Sequence, residues 1–421
     1  MGLWHPQVGA CLLIMNSLYS TLVCLLVLAA APQAPYLDFS HAGAGFYGSG
    51  REIPEPIDLT SVRIGVLAPE TSPEGRQMRA AIQMAIDEAN ARGGYGLKVQ
   101  PLRASPNGEK SPCSEEARVI PYEMVFRPDD GPWGTATSQV VKFAYEDKVW
   151  TIIGGLDGQR THIAELVVTK AWVPVISPGT TDSTVDYANV PWVFRAVPAD
   201  SRQADALLAF ANKQGYSRLV VLSEIEREAY ASFKRLSESA RHGHTTFAMH
   251  LDYPPEDPVA VIPQLQGISF DAAVIWGRAE TAMPLIEGLR RAGIQVPILA
   301  CSALATPEVA KKQPVLGNLT VVAPYDLSRH DFELEKFQRR YESRTGTRAG
   351  PLAVYSYDVA RLVIGAIERA GLNRALIRDE LSGSRFNGLT GPYRFSSLGG
   401  NEADPVLMTL QKNGWSRIQG F

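Results

Sequence analysis

Residues Thr151 to Thr181 read TIIGGLDGQRTHIAELVVTKAWVPVISPGTT. An apolar run ends in a Gly-rich loop, a helix-length segment follows, and a second apolar run ends in Ser177-Pro178-Gly179-Thr180-Thr181. That order is one strand–loop–helix–strand–loop unit, the building block of a parallel α/β sheet. Both loops follow strand ends, where an open parallel sheet presents its ligand crevice. Free N–H groups at a helix start, together with hydroxyls, suit a small polar or anionic molecule.

Working outward, short apolar runs alternate with longer amphipathic ones from Val62 onward. Strands are expected at 62–68, 97–103, 150–154, 173–177, 219–223, 246–251, 272–276, 298–301 and 319–323. The segment 75–91 reads as a helix, with Met78, Ile82, Ala85, Ile86 and Ala89 on one stripe and Gly93-Gly94 ending it. Residues 105–122 break the alternation and read as a surface insertion. Residues 35–61, rich in Gly and Pro without periodicity, read as a flexible linker.

The chain has 421 residues, 45% of them hydrophobic and 20% charged, with a net charge of -3. That length fits two domains and that composition supports sizeable cores. Lys and Arg are scattered, so no nucleic-acid partner is expected. Asp38 is the first charged side chain and Arg51 the first basic one. Within this uncharged head, Leu18 to Ala31 forms an apolar core, so residues 1–34 are expected to be a signal peptide or an N-terminal anchor. Either reading implies an exported protein. Of the four cysteines, Cys113 and Cys301 lie beyond the head, as a pair or as two thiols.

The chain resembles the leucine/isoleucine/valine-type substrate-binding proteins of ABC importers. The likeness rests on Val62-Arg63-Ile64-Gly65-Val66-Leu67, on AIQMAIDEANARGG from Ala81, and on Phe194-Arg195-Ala196-Val197-Pro198. It continues through Gly388-Leu389-Thr390-Gly391-Pro392-Tyr393-Arg394-Phe395 to Gly414-Trp415. The resemblance implies a two-lobe type I periplasmic-binding-protein fold, each lobe a mostly parallel sheet flanked by helices, with three interlobe crossings. Placed near Val197, Pro324 and Gly388, these give lobe one as 62–197 plus 326–388 and lobe two as 198–325 plus 389–421. A cleft between such lobes closes by a hinge.

Candidate ligand contacts follow from the same resemblance. In the first loop, Gly158, Gln159 and Arg160 replace the Ser and Thr of relatives. Arg160 would attract an anion, unless Asp157 neutralises it. In the second loop, Gly179 and Thr181 match the family's carbonyl and hydroxyl for an ammonium group. In lobe two, Tyr230 stands near the place of an aromatic, Arg278 replaces another, and Ser302 stands where amino-acid binders have an acid. Losing that acid costs a charge-assisted bond of about 2–3 kcal/mol and argues against an aliphatic amino acid. Tyr357 falls at a cleft-facing aromatic position, with core filling as its alternative.

No zinc spacing, nucleophile elbow or phosphate loop is present. The reading is therefore a binding protein rather than an enzyme, without cofactor or metal, and monomeric. Its partners would be a small-molecule ligand and ABC permease subunits. A membrane-anchored sensing or surface-assembly module of the same fold is the alternative.

Overall fold

The computed structural model describes residues 46, 48–97, 118–131, 135–241 and 244–420. Readings that fall on residues 1–34, on Cys113 and on most of the 105–122 segment lie outside the described residues. Among the described residues, no helix is long and apolar enough to cross a membrane.

Two sheets organise residues 50–421. The first is a five-stranded parallel sheet ordered Tyr122–Pro128, Val62–Ala68, Thr151–Gly154, Val175–Ser177 and Val193–Arg195. The second has seven strands, of which Leu319–Ala323, Ile298–Ala300, Ala272–Trp276, Arg218–Glu224 and Thr246–Tyr253 run parallel. Val406–Gln411 and Gly414–Arg417 complete it in antiparallel fashion. The central strands are almost continuous apolar runs because helices cover both faces. Ala272–Trp276 is buried at every position.

Each sheet carries its own core. The first core combines Val62, Ile64, Ile153 and Ile176 with the Pro73–Ala91 and Pro351–Ala370 helices. The expected stripe Met78, Ile82, Ala85, Ile86 and Ala89 is buried there, with Ser72 capping the helix start. The second core gathers Leu219 to Leu222, Ala272 to Trp276, Ile298 to Ala300 and Leu319 to Ala323.

The connections between the cores are laced together by buried polar groups. Asp358 accepts from the Leu389 N–H at 2.8 Å, and from the Thr390 N–H and hydroxyl at 2.9 Å each. Gly388 must be glycine, since a Cβ would lie 2.4 Å from Asp358 Oδ2. Tyr355 donates to the Pro324 carbonyl at 3.0 Å, and Asn401 to the Ala196 carbonyl at 2.6 Å.

Three expectations change here. Leu389, Tyr393 and Phe395 pack in the first core, so the chain stays with that core beyond Gly388, at least as far as Phe395. The linker is held along its second half. Arg51 pairs with Asp379, and Asn373 donates to the Gly50 and Ile53 carbonyls at 2.7 and 3.0 Å. Those bonds, made by polar side chains distant in sequence, stop residues 50–53 from behaving as a tether. Finally, Arg118–Ile120 and Tyr122–Pro128 are strands, although part of this stretch read as an insertion.

Candidate functional site

The rims that meet between the two sheets are loops after strand carboxyl ends. On the first sheet they are Gly155 to Asp157 and Pro178 to Ser183. On the second they are Ile225-Glu226, Gly277-Arg278 and Cys301-Ser302.

The first rim is a set of donors held by local chemistry. Gly155 adopts φ 77°, and a Cβ there would approach Thr161 Oγ1 to 2.4 Å, so only glycine fits the turn. Asp157 caps the Gly158–Ala171 helix by accepting from the Arg160 N–H at 2.8 Å. The Ser177 hydroxyl donates to the Gly155 carbonyl and accepts from the Gly179 and Thr180 N–H groups, at 3.3 and 3.0 Å. One serine thus fixes both loops. The Gly158 N–H and the Thr180 hydroxyl remain to point outward.

They point at a carboxylate of the opposite rim. Glu228 Oε1 accepts from the Gly158 N–H at 2.7 Å and from the Thr180 hydroxyl at 3.0 Å. Glu228 belongs to the first turn of the Arg227–Ala240 helix, whose Ala229 and Leu236 pack in the second core. Its neighbour Arg227 reaches Asp182 at 3.2 Å and the Thr184 hydroxyl at 3.0 Å. Burial pushes the Glu228 carboxyl up to about 8, reinforced by the charges of Glu226 and Asp157. The Gly158 N–H and the Thr180 hydroxyl oppose that rise.

The sequence-derived candidates fall as follows. Arg160 pairs with Asp157 and lies 3.3 Å from buried Asp129, so its charge is consumed within its own rim. Burial pushes Asp129 up to about 6, with Arg160 opposing and Asp157 and Asp130 adding to the rise. Gly158 sits against Asp182, where a Cβ would lie 2.1 Å from the carboxylate. Gln159 is exposed. Gly179 and Thr181 lie on the rim, but Thr180 is the residue whose hydroxyl crosses to the other lobe. The Thr181 carbonyl instead accepts from the Asp200 N–H at 2.7 Å.

On the second rim, Arg278 binds Glu224, with Nε at 2.8 Å. Burial works against the Glu224 charge, yet the bonds from Arg278 and Thr281 hold this carboxyl below its ordinary range. The Ser302 N–H donates to Gln203 at 3.0 Å, beside the first crossing. Tyr230 is 69% exposed. Tyr357 is buried among helices of the first lobe, donating to Glu88 at 2.7 Å and packing on Phe337. Residue spacing explains this placement. Tyr355 and Asp358, three apart, share the helix side facing the crossings, and Tyr357 falls on the other side. Sequence reading missed Glu228, Thr180 and Arg227. The available signal was the run Glu224-Ile225-Glu226-Arg227-Glu228, acidic where the resemblance called for an aromatic.

Among the described residues, no cluster of His, Cys, Asp and Glu is arranged to hold a metal ion. Cys301 is a free, buried thiol.

A family model described as periplasmic binding protein matches residues 61–414. Among solved structures, an ABC transporter substrate-binding protein from Desulfitobacterium hafniense, in complex with Leu, has a TM-score of 0.69 at 18% identity. That match covers 85% of this chain and 100% of the other. The branched-chain amino acid transporter protein LivJ from Streptococcus pneumoniae, with isoleucine, gives 0.69 at 21% identity, covering 85% and 100%. An ABC transporter solute-binding protein from Rhodopseudomonas palustris BisB5, with 3,4-dihydroxy benzoic acid, gives 0.72 at 15%, covering 85% and 96%. At such identities the likeness shows the fold. Among curated protein sequences, none matches significantly.

Proposed function

From membership of the periplasmic binding protein family, to which this chain belongs, we propose that it is an exported solute receptor of an ABC importer. The family is one of binding proteins rather than enzymes. The solute would be a small polar molecule of the amino acid, amide or organic acid class, held between the two lobes and passed to permease subunits by a monomeric receptor. The observation that supports this most is the meeting of loops 155–158 and 177–184 with the start of the Arg227–Ala240 helix. Groups on one core there bond directly to groups on the other, in the place where lobes that close by a hinge would hold a solute.

Among the sequence candidates, Gly179 is proposed as a contact through its carbonyl, while the Gly158 and Ser302 N–H groups are bonded to Glu228 and Gln203 and would have to be released to meet a solute. Gln159, Thr181, Tyr230 and Arg278 are kept as rim residues that a closing solute would meet. A thermal-shift screen of the full chain across amino acids, amides and organic acids tests the reading. A saturable shift is expected, and a screen without one overturns solute capture.

A sensing or surface-assembly module is the second reading. It is favoured by one feature: the rims are already joined by the chain's own Arg227 and Glu228. Solute-dependent binding to permease subunits would separate the two, since only an importer receptor requires it.

A further inference from the structure

Two donors converge on one oxygen between the lobes. The first is the leading N–H of the Gly158–Ala171 helix, a group that helix geometry leaves without an internal partner. The helix dipole at that end favours an acceptor oxygen. The second is the hydroxyl of buried Thr180, in a loop pinned by Ser177 on one side and by the Asp182 N–H, at 3.2 Å, on the other. Neither donor is free to turn away. Their geometry forms a seat for a carboxyl group, and its occupant comes from the same chain.

We propose that Glu228 is a built-in ligand carboxylate: it fills this interlobe seat from the opposite lobe, holds the rims together, and makes any free carboxylate solute compete with it. The proposal rests on the receptor reading for the role of the cleft, while the seat itself stands on the two contacts. It makes Glu228 a specificity-determining residue. A side chain tethered across a hinge acts at an effective concentration on the order of millimolar. A solute that binds through a carboxylate at this seat must overcome that competition. A solute that binds elsewhere on the rims leaves Glu228 in place, so within the proposed classes the cleft disfavours those that bind through a carboxylate at this seat.

Protonated or ionised, Glu228 offers an acceptor oxygen to both donors. A soluble carboxylate of the same shape is therefore the appropriate probe, and propionate reproduces the end of the Glu228 side chain. The experiment uses the full chain as wild type and as Glu228→Ala. It reads the radius of gyration by solution X-ray scattering, with sodium propionate, propionamide or sodium chloride added.

The variant is expected to be more open than wild type, and propionate on the order of tens of millimolar should return it toward the wild-type radius. Propionamide, whose carbonyl also accepts, should act in the same direction, chloride should leave the variant open, and wild type should not respond. Adding Thr180→Val to the variant should weaken the propionate response about tenfold, the size of one hydrogen bond. Equal responses of wild type and variant to propionate, or a variant as compact as wild type and indifferent to it, would overturn the proposal. Should Glu228→Ala not fold, Thr180→Val alone carries the test: an enlarged radius supports the seat and an unchanged one refutes it. The receptor reading fails separately. A screened solute that binds wild type and Glu228→Ala equally leaves the receptor standing and removes the role of Glu228. Propionate rescue without any screened solute does the reverse.

Discussion

The two rims of the cleft are built on opposite principles. The rim of the first lobe is held rigid by its own short-range bonds: Asp157 accepts from the Arg160 N–H, and Ser177 donates to the Gly155 carbonyl and accepts from the Thr180 N–H. The rim of the second lobe is a set of acceptors on long side chains, Glu224, Glu226 and Glu228, with Arg227 and Arg278 between them. Backbone geometry fixes the first and side-chain reach fixes the second. The contrast teaches where specificity resides: a donor seat on the strand-end loops is generic, while what fills it depends on a few side chains of the facing helix.

The largest expected effect breaks the rigid rim. Gly158→Ala places a Cβ against Asp182 and should cost about 1–3 kcal/mol by chemical denaturation, as overpacking does. The matched change on the facing rim, Ile225→Ala, removes a side chain that is 59% exposed and should stay within about 0.5 kcal/mol. Equal costs would erase the distinction between a rigid and an adaptable rim.

Next comes pH. The Glu228 carboxyl is raised to about 8 where it docks, against an ordinary 4.5, so docking takes up a proton. Its stabilisation is complete below the ordinary value and is lost as pH rises through about 8. Glu226 at the cap of its own helix and Asp157 at the cap of the facing one both oppose its ionisation. Thermal unfolding of wild type should therefore weaken between pH 4.5 and about 8 more than that of Glu228→Gln, which keeps an acceptor without a proton to lose. Parallel profiles would mean that Glu228 does not titrate in the seat.

Thr180→Val follows, removing one bond of the seat while keeping shape, at about 1 kcal/mol by denaturation. A neutral outcome would count against a seat built from two donors. Smallest is Arg227→Ala. Its side chain is 53% exposed, so the pair with Asp182 should be worth about 0.5 kcal/mol or less and should fade with salt. A loss above that would shift the joining of the rims from Glu228 to Arg227.

Much of the fold was legible because central strands are apolar throughout. Val62–Ala68, Ala272–Trp276 and Leu319–Ala323 stand where the apolar runs stand. Tyr122–Pro128 was hidden because an edge strand needs little burial, and Glu123 and Arg127 break its apolar pattern. The site was legible only on one side. The loops ending in Gly158 and Thr181 announce themselves by glycine, serine and threonine after strands. Glu228 lies 70 residues from Gly158 in sequence, and no local periodicity reports a contact of that range. Tyr357 went to the helix layer because a difference of two residues turns a helical side chain to the opposite side.

Hydrogen exchange on the full chain, with and without a solute identified by the screen, tests the central claim most directly. Solute is expected to slow exchange in 155–184 and 224–230 together, the two rims responding as one. Slowing in one lobe alone, or away from both rims, would contradict a solute held between them.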